Sequence, residues 1–300
     1  MSAGHKETPR DTTCQTRTVV FFSNPLMSDV ESDWSPIHDA AFNGRVIALQ
    51  RLIAQGTCVN LNTLDQVSPL HGACIQGHAT CAKLLMENGA NVNSSNVNGQ
   101  TPLSEACARG HATCVSLLLQ QGATTFGTSL SSSPIHRAAA EGHPECIAPL
   151  VQYGADVDQY IEQSGSPLQV ACSNQHLSTV RKLLQLGASV NNSVSGDAPL
   201  HVAARLSSPE LVSVLLEHGA DRALRNLEGK QPLDLAPPNS LAERLLRQAG
   251  GVSPLMQLCR LNIRKTVGKQ RLGGIRDLHL PTQLKLYLLY QSDTRGDEIY

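Results

Sequence analysis

Aromatic side chains are scarce in this chain, making up 3% of its 300 residues with a single tryptophan. A core built on large rings, or a stacking platform for bases, is therefore excluded. An excess of either charge is lacking too: 24 basic against 25 acidic residues give a net charge of −1, so no bulk attraction to nucleic acid or to a membrane surface is expected. No apolar run approaches the roughly 20 residues that span a bilayer. The first 30 residues mix Lys6, Arg10 and Arg17 with Glu7, Asp11 and Asp29, which argues against a signal peptide and against an acid-poor mitochondrial presequence. G-x-G-x-x-G, G-x-x-x-x-G-K-[ST], H-E-x-x-H and G-x-S-x-G are all missing, so catalysis and a bound cofactor are not expected. Cysteine, by contrast, is plentiful. Nine is an odd number, and the simplest reading is a reducing, intracellular compartment, here the cytoplasm, with mitochondrial association lacking support from a presequence.

What is present is periodic. SPIH at Ser35, SPLH at Ser68, TPLS at Thr101, SPIH at Ser133, SPLQ at Ser166, APLH at Ala198 and QPLD at Gln231 follow one another at steps of 33, 33, 32, 33, 32 and 33 residues. Twenty-one positions after each of the first six starts lies a glycine: Gly56, Gly89, Gly122, Gly154, Gly187 and Gly219. In the second copy, Ser68 is placed to cap a helix opening at Pro69, where the missing N–H costs nothing. That helix should stop near Gly77. A second helix over roughly 79–88 carries Cys81, Leu84 and Leu85 on one face and ends at Gly89. Turn-prone residues such as Asn96, Asn98 and Gly99 follow. Neither helix can bury its apolar face alone, so copies must stack.

The stretch PLHGACIQGHATC, residues 69–81, holds His71, Cys74, His78 and Cys81 at a spacing that zinc would accept. The repeat explains them separately. Cys74, Cys107 and Cys172 share one offset from their repeat starts, and Cys81, Cys114 and Cys146 share another; His38, His71, His136 and His201 share a third, and His78, His111, His143 and His176 a fourth. The cysteines read as small core residues and the earlier histidine of each copy as a ligand of loop backbone. No metal site is expected.

The 33-residue period and the T-P-L-H-like signature resemble the ankyrin repeat. The tail is different in kind. Ser240 and Glu243 have capping-box spacing for a helix over about 241–248. Beyond Gly250 and Gly251, Leu255, Leu258, Cys259 and Ile263 form one apolar helical stripe, with Arg260, Arg264 and Lys265 opposite it. Those charges read as a solvated face, because no nucleic-acid-binding pattern accompanies them.

This tail resembles the SOCS box. In that family Leu255 and Cys259, with Leu258 and Ile263 beside them, correspond to the residues that enter elongin C, which brings elongin B. Leu280, Pro281, Thr282 and Gln283 stand where a Leu-Pro-apolar-Pro segment selects cullin 5 with its RING protein; here the apolar residue and the second proline are absent. The resemblance implies an all-α molecule, an ankyrin-repeat solenoid of about seven repeats followed by a small helical SOCS box. Residues 1–34 would be a partly disordered extension, 35–250 the array, 251–291 the box and 292–300 a flexible tail. It also implies a substrate-recognition adaptor of a ubiquitin ligase; the alternative is a plain ankyrin scaffold whose tail merely caps the array. Within the family, SNPLMSDVESDWSPIH at residues 23–38 is similar to a member whose implied target is creatine kinase. Trp34 either caps repeat 1 or joins Asp29, Asp33, Asp65 and Asn98 in gripping the target.

Overall fold

The computed structural model describes residues 34–162, 164–193, 196–248 and 255–290. Seven helix pairs run through it. They are α1 (Pro36–Phe42) with α2 (Val46–Ala54), α3 (Pro69–Gln76) with α4 (Ala79–Glu87), α5 (Pro102–Ala108) with α6 (Ala112–Gln120), and α7 (Pro134–Glu141) with α8 (Pro144–Gln152). Next come α9 (Pro167–Ser173) with α10 (Leu177–Gln185), α11 (Pro199–Arg205) with α12 (Pro209–Glu217), and α13 (Pro232–Leu235) with α14 (Leu241–Gln248). A separate element follows: α15 (Leu255–Val267), a 3-10 helix (Lys269–Asp277) and α16 (Thr282–Leu288). Among the described residues no strand forms, and Ile161 and Gly165 make an isolated antiparallel bridge. The fold is an all-helical ankyrin solenoid with a small helical element at its end.

Each inner helix begins with proline because that position has no amide to satisfy. Ser68 illustrates the cap: its hydroxyl accepts from the His71 amide while His71 Nδ1 accepts from the Ser68 amide. The imidazole then reaches the next repeat, its Nε2–H donating to the Gln100 carbonyl at 3.1 Å. His38, His136 and His201 repeat the reach, to Val67, Gly165 and Lys230. The later histidine of each copy looks back. His111 Nε2–H donates to Ile75 O and His176 Nε2–H to Ala140 O, and the ring occupies space beside a glycine one repeat earlier. Gly77 has φ 76°, and a Cβ added there would fall 2.5 Å from His111 Nδ1, so the glycine serves both the turn and the neighbour's ring.

Inner helices stack on inner helices and outer on outer along the array. The four residues of the zinc-like stretch accordingly face different neighbours: His71 bonds Gln100, the Cys74 thiol is beside that of Cys114 in the next repeat, the His78 ring lies against Gly44, and Cys81 is fully buried. The free thiols of Cys107 and Cys146 are neighbours in the same way one repeat later. Loops are stitched too: Asn60, Asn93 and Asn191 donate to the carbonyls of Gly89, Gly122 and Gly219, and each accepts an amide from the same neighbouring loop.

Two measurements check this packing. Cys74, Cys107 and Cys172 are fully buried whereas Cys259 is exposed, and burial pushes the Cys172 thiol up to about 12, so thiolate is scarce at the buried sites. A disulfide reagent should modify Cys259 rapidly and the other three only on unfolding. Comparable rates at all four would contradict the stacking. Burial, the largest cause, also lowers His71 and His136 to about 4 from an ordinary 6.5. The unfolded chain therefore takes up protons below pH 6.5 while the folded array does not until about pH 4. Stability should fall across that window, by up to about 3 kcal/mol for each of the two. Denaturant midpoints that stay level from pH 7 to pH 4.5 would refute it.

Candidate functional site

Two surfaces stand out. The first is the helix α15. Leu258 is 46% exposed, Ile263 is 40% exposed and Cys259 is also exposed, and Leu255 opens the helix four residues before Cys259. A surface helix ordinarily turns such a stripe inward. Here the basic side goes inward instead, which corrects the expectation that Arg260 and Arg264 form a solvated face. Arg264 donates to Leu184 O at 2.8 Å, to Gln185 O at 3.1 Å and to Leu288 O at 2.9 Å. One guanidinium thereby satisfies the final carbonyls of both α10 and α16, where a positive charge also suits the helix dipole.

Around this cation the joint closes. Tyr290 stacks on His218 with ring centroids 3.7 Å apart, its hydroxyl donates to Glu217 O at 3.0 Å, and Gln185 Nε2 donates to Tyr290 O at 3.1 Å. Arg260 lies over the rings of Tyr287 and Tyr290, 3.5 and 4.2 Å from their centroids. Burial first, then the nearby guanidinium charges of Arg264, Arg260 and Arg181, lower His218 to about 4, so the ring beneath Tyr290 is neutral at ordinary pH. The small element has its own core of Leu272, Ile275, Leu288 and Leu289, with Val267 and Leu280 against it. It meets the ends of the outer helices α10 and α12. Pro281, Thr282 and Gln283 are exposed at the start of α16, while Leu280 is half-buried.

The second surface is a groove formed by the loop tips and inner helices. A cavity of about 390 Å³ is lined by Asp65, Asn98, Glu105, Arg109 and Arg137 among others, so Asp65 and Asn98 do share one site. The charged members Glu105, Arg109 and Arg137 were missed by the sequence reading. A usable signal existed: the inner-helix position four after each repeat start is Gly72, Val170, Val202 or Leu235 in four copies but charged in three, as Asp39, Glu105 and Arg137, the last two in adjacent repeats.

Trp34 does not belong to this surface. It is completely buried, 5.1 Å from the His38 ring and edge-on to Phe42 at 5.7 Å, so it seals repeat 1 and offers a target nothing. Its ring is better buried against the first inner helix than left in water. Asp29 and Asp33 lie outside the described residues.

Comparison with known proteins agrees with this division. The ankyrin-repeats family model matches residues 18–96, 93–161, 135–226 and 168–248, and the SOCS box model matches 251–289. Ankyrin repeat and SOCS box protein 9 of Homo sapiens is 57% identical over 89% of this chain and 91% of its own length. The Mus musculus protein of that name is 53% identical over 90% of this chain and 93% of its own. Human ankyrin repeat and SOCS box protein 5 is 54% identical over 87% of this chain and 79% of its length. Among solved structures, the human ASB11 ankyrin repeat domain superposes with a TM-score of 0.69 at 47% identity, covering 73% of this chain and all of that one.

Proposed function

The chain belongs to the ankyrin repeat and SOCS box family, and from that membership we propose that it is a non-catalytic substrate adaptor of a ubiquitin ligase. The observation that carries this reading is the reversed orientation of α15. A helix that spends its arginines on the array and leaves Leu258, Cys259 and Ile263 in water has an apolar surface to be covered by another protein. Elongin C, with elongin B, is the partner that the SOCS box implies, anchored by Leu255, Leu258, Cys259 and Ile263. The exposed Pro281–Gln283 segment with Leu280 is the surface for cullin 5 and its RING protein.

The array would hold the target in its groove, at Asp65 and Asn98. Creatine kinase is the candidate target, supported by the likeness of residues 23–38 to one family member. The adaptor makes and breaks no bond itself. By tethering, it raises the effective concentration of target lysines near a separate ubiquitin-charged enzyme. The nine cysteines favour a reducing cytoplasmic setting for this work.

Reconstitution tests it: purified chain, elongin B/C and cullin 5 with its RING protein should form one complex and transfer ubiquitin to bound creatine kinase. Failure to retain elongin B/C would remove the adaptor reading, whereas retention without creatine kinase binding would remove only that target. The geometry also bears on the scaffold alternative. A tail serving as a cap would cover the end of the stack, yet this one docks on the ends of α10 and α12 and keeps its apolar stripe outward.

A further inference from the structure

Glu105 and Arg137 are neighbours across the third and fourth repeats, and the Arg137 and Arg109 charges both act on the Glu105 carboxyl. Among the described residues, however, neither arginine makes an ion pair with it. The nearest acidic oxygen to Arg137 is that of Glu141, at 3.8 Å, too long for a good hydrogen bond. Arg137 Nε is buried and has no partner. Such a group carries a desolvation cost until an acceptor arrives, and a guanidinium has five donors to satisfy.

The surroundings have room for that acceptor. Arg137 lines the cavity of about 390 Å³ and also a second one of about 500 Å³, where Thr128, Ser129, Ser131 and Ser164 contribute hydroxyls. Arg109 opens onto the first. Both volumes lie in the range of built ligand sites. Three acidic groups share these walls. Glu105 is only 7% exposed, beneath the groove floor, and its burial raises its pKa and so weakens its charge. Asp65 and Glu162 stand on the loops that line the two cavities, and neither makes an ion pair with Arg137 among the described residues. Among the described residues the Arg137 Nε–H is the donor that these walls leave open.

We propose that Arg137, assisted by Arg109, forms a preformed pocket for an anionic side chain, a carboxylate or a phosphate, carried on a segment of the target protein. This rests on the array being a target receptor. The pocket selects the target by charge: a planar guanidinium takes a carboxylate or phosphate through two parallel bonds, and the Thr128 and Ser164 hydroxyls flank it as further donors. The buried Glu105 beneath opposes any bound anion, which limits strength and favours release.

Heteronuclear NMR on the full chain tests this, with the Arg137 Nε–H signal assigned by its loss in Arg137→Lys. The probes are N-acetylglutamate N-methylamide, N-acetylphosphoserine N-methylamide and, as a cationic control, N-acetyllysine N-methylamide. Saturable shifts with the anionic probes and none with the lysine probe are expected. A tighter response to glutamate assigns an unmodified acidic segment, and one to phosphoserine a phosphorylated segment. Followed at the backbone amides of Arg109, Thr128 and Ser129, which line the two cavities, Arg137→Gln should weaken the response at least about 10-fold with the melting temperature unchanged, and Glu105→Gln should strengthen it. No shift with either anionic probe, or an equal shift with the lysine probe, would overturn the pocket. If elongin B/C still co-purifies in that event, the adaptor reading stands and this inference alone has failed.

Discussion

Replacing Leu255 and Cys259 together by alanine is expected to lower affinity for elongin C by about 30- to 1000-fold, because central interface anchors are typically worth about 2 to 4 kcal/mol. The two residues are one helical turn apart on α15, and Cys259 is already in solvent in the free chain. Truncating the exposed Cys259 leaves no cavity in the chain's own core, so its loss should fall on association and not on folding. The melting temperature and the binding of target by the array should accordingly stay within error of the unsubstituted protein. Isothermal titration with purified elongin B/C measures the first quantity and scanning calorimetry the second. A double variant that binds elongin B/C normally would end the assignment of this face. One that melts several degrees lower would show instead that the stripe is packed, as the capping alternative requires.

The array could be read from the sequence because each copy is a further statement of the same rule. Proline at the start, histidine three on, glycine at the end of the outer helix and cysteine at fixed offsets together define a stacking unit, and the structure uses each one in that way. What periodicity did not reveal is the pairing of each later histidine with a glycine one repeat earlier. That contact joins residues 34 apart, as His78 and Gly44, and shows only when copies are placed side by side. The α15 helix was legible as a two-faced helix but not in its orientation. Apolar patterning assumes that the inward surface is apolar, whereas the surface that α15 meets is a set of unsatisfied helix-end carbonyls, which call for arginine. The sequence left Trp34 between two readings for a related reason: it precedes the first proline and so has no counterpart in other copies to show which way it faces. The charges at Glu105 and Arg137 fall in adjacent copies on a row that also holds Asp39 but is small or apolar in the other four, and with the loop-tip residues Asp65 and Asn98 they line the groove.

The joint between array and box yields the second large effect. Arg264 holds Leu184, Gln185 and Leu288 carbonyls at once, and Tyr290 ties the other side through His218 and Glu217. Hydrogen bonds to a charged group contribute about 1.5 to 3 kcal/mol each, so even after non-additivity Arg264→Gln should weaken docking by on the order of 3 kcal/mol. That corresponds to a roughly 100-fold shift in the ratio of docked to undocked forms. The elongin face of α15 lies on the opposite side of the helix, and the groove lies on the inner helices, so both partners should still bind. Their mutual geometry should change. Ubiquitin transfer depends on a fixed reach between target and charged enzyme, and a swivelling box spreads that reach over a larger volume. Small-angle scattering of the Arg264→Gln chain bound to elongin B/C should show a broader distance distribution. Transfer to a saturating target should slow about 10-fold or more if geometry limits the reaction, with elongin affinity within about two-fold. Tyr290→Phe, which deletes the hydroxyl's bond to Glu217 O and keeps the ring, should give a smaller change in the same direction. An Arg264→Gln protein with an unaltered scattering profile would mean that the core of Leu272, Ile275, Leu288 and Leu289 positions the box without the arginine.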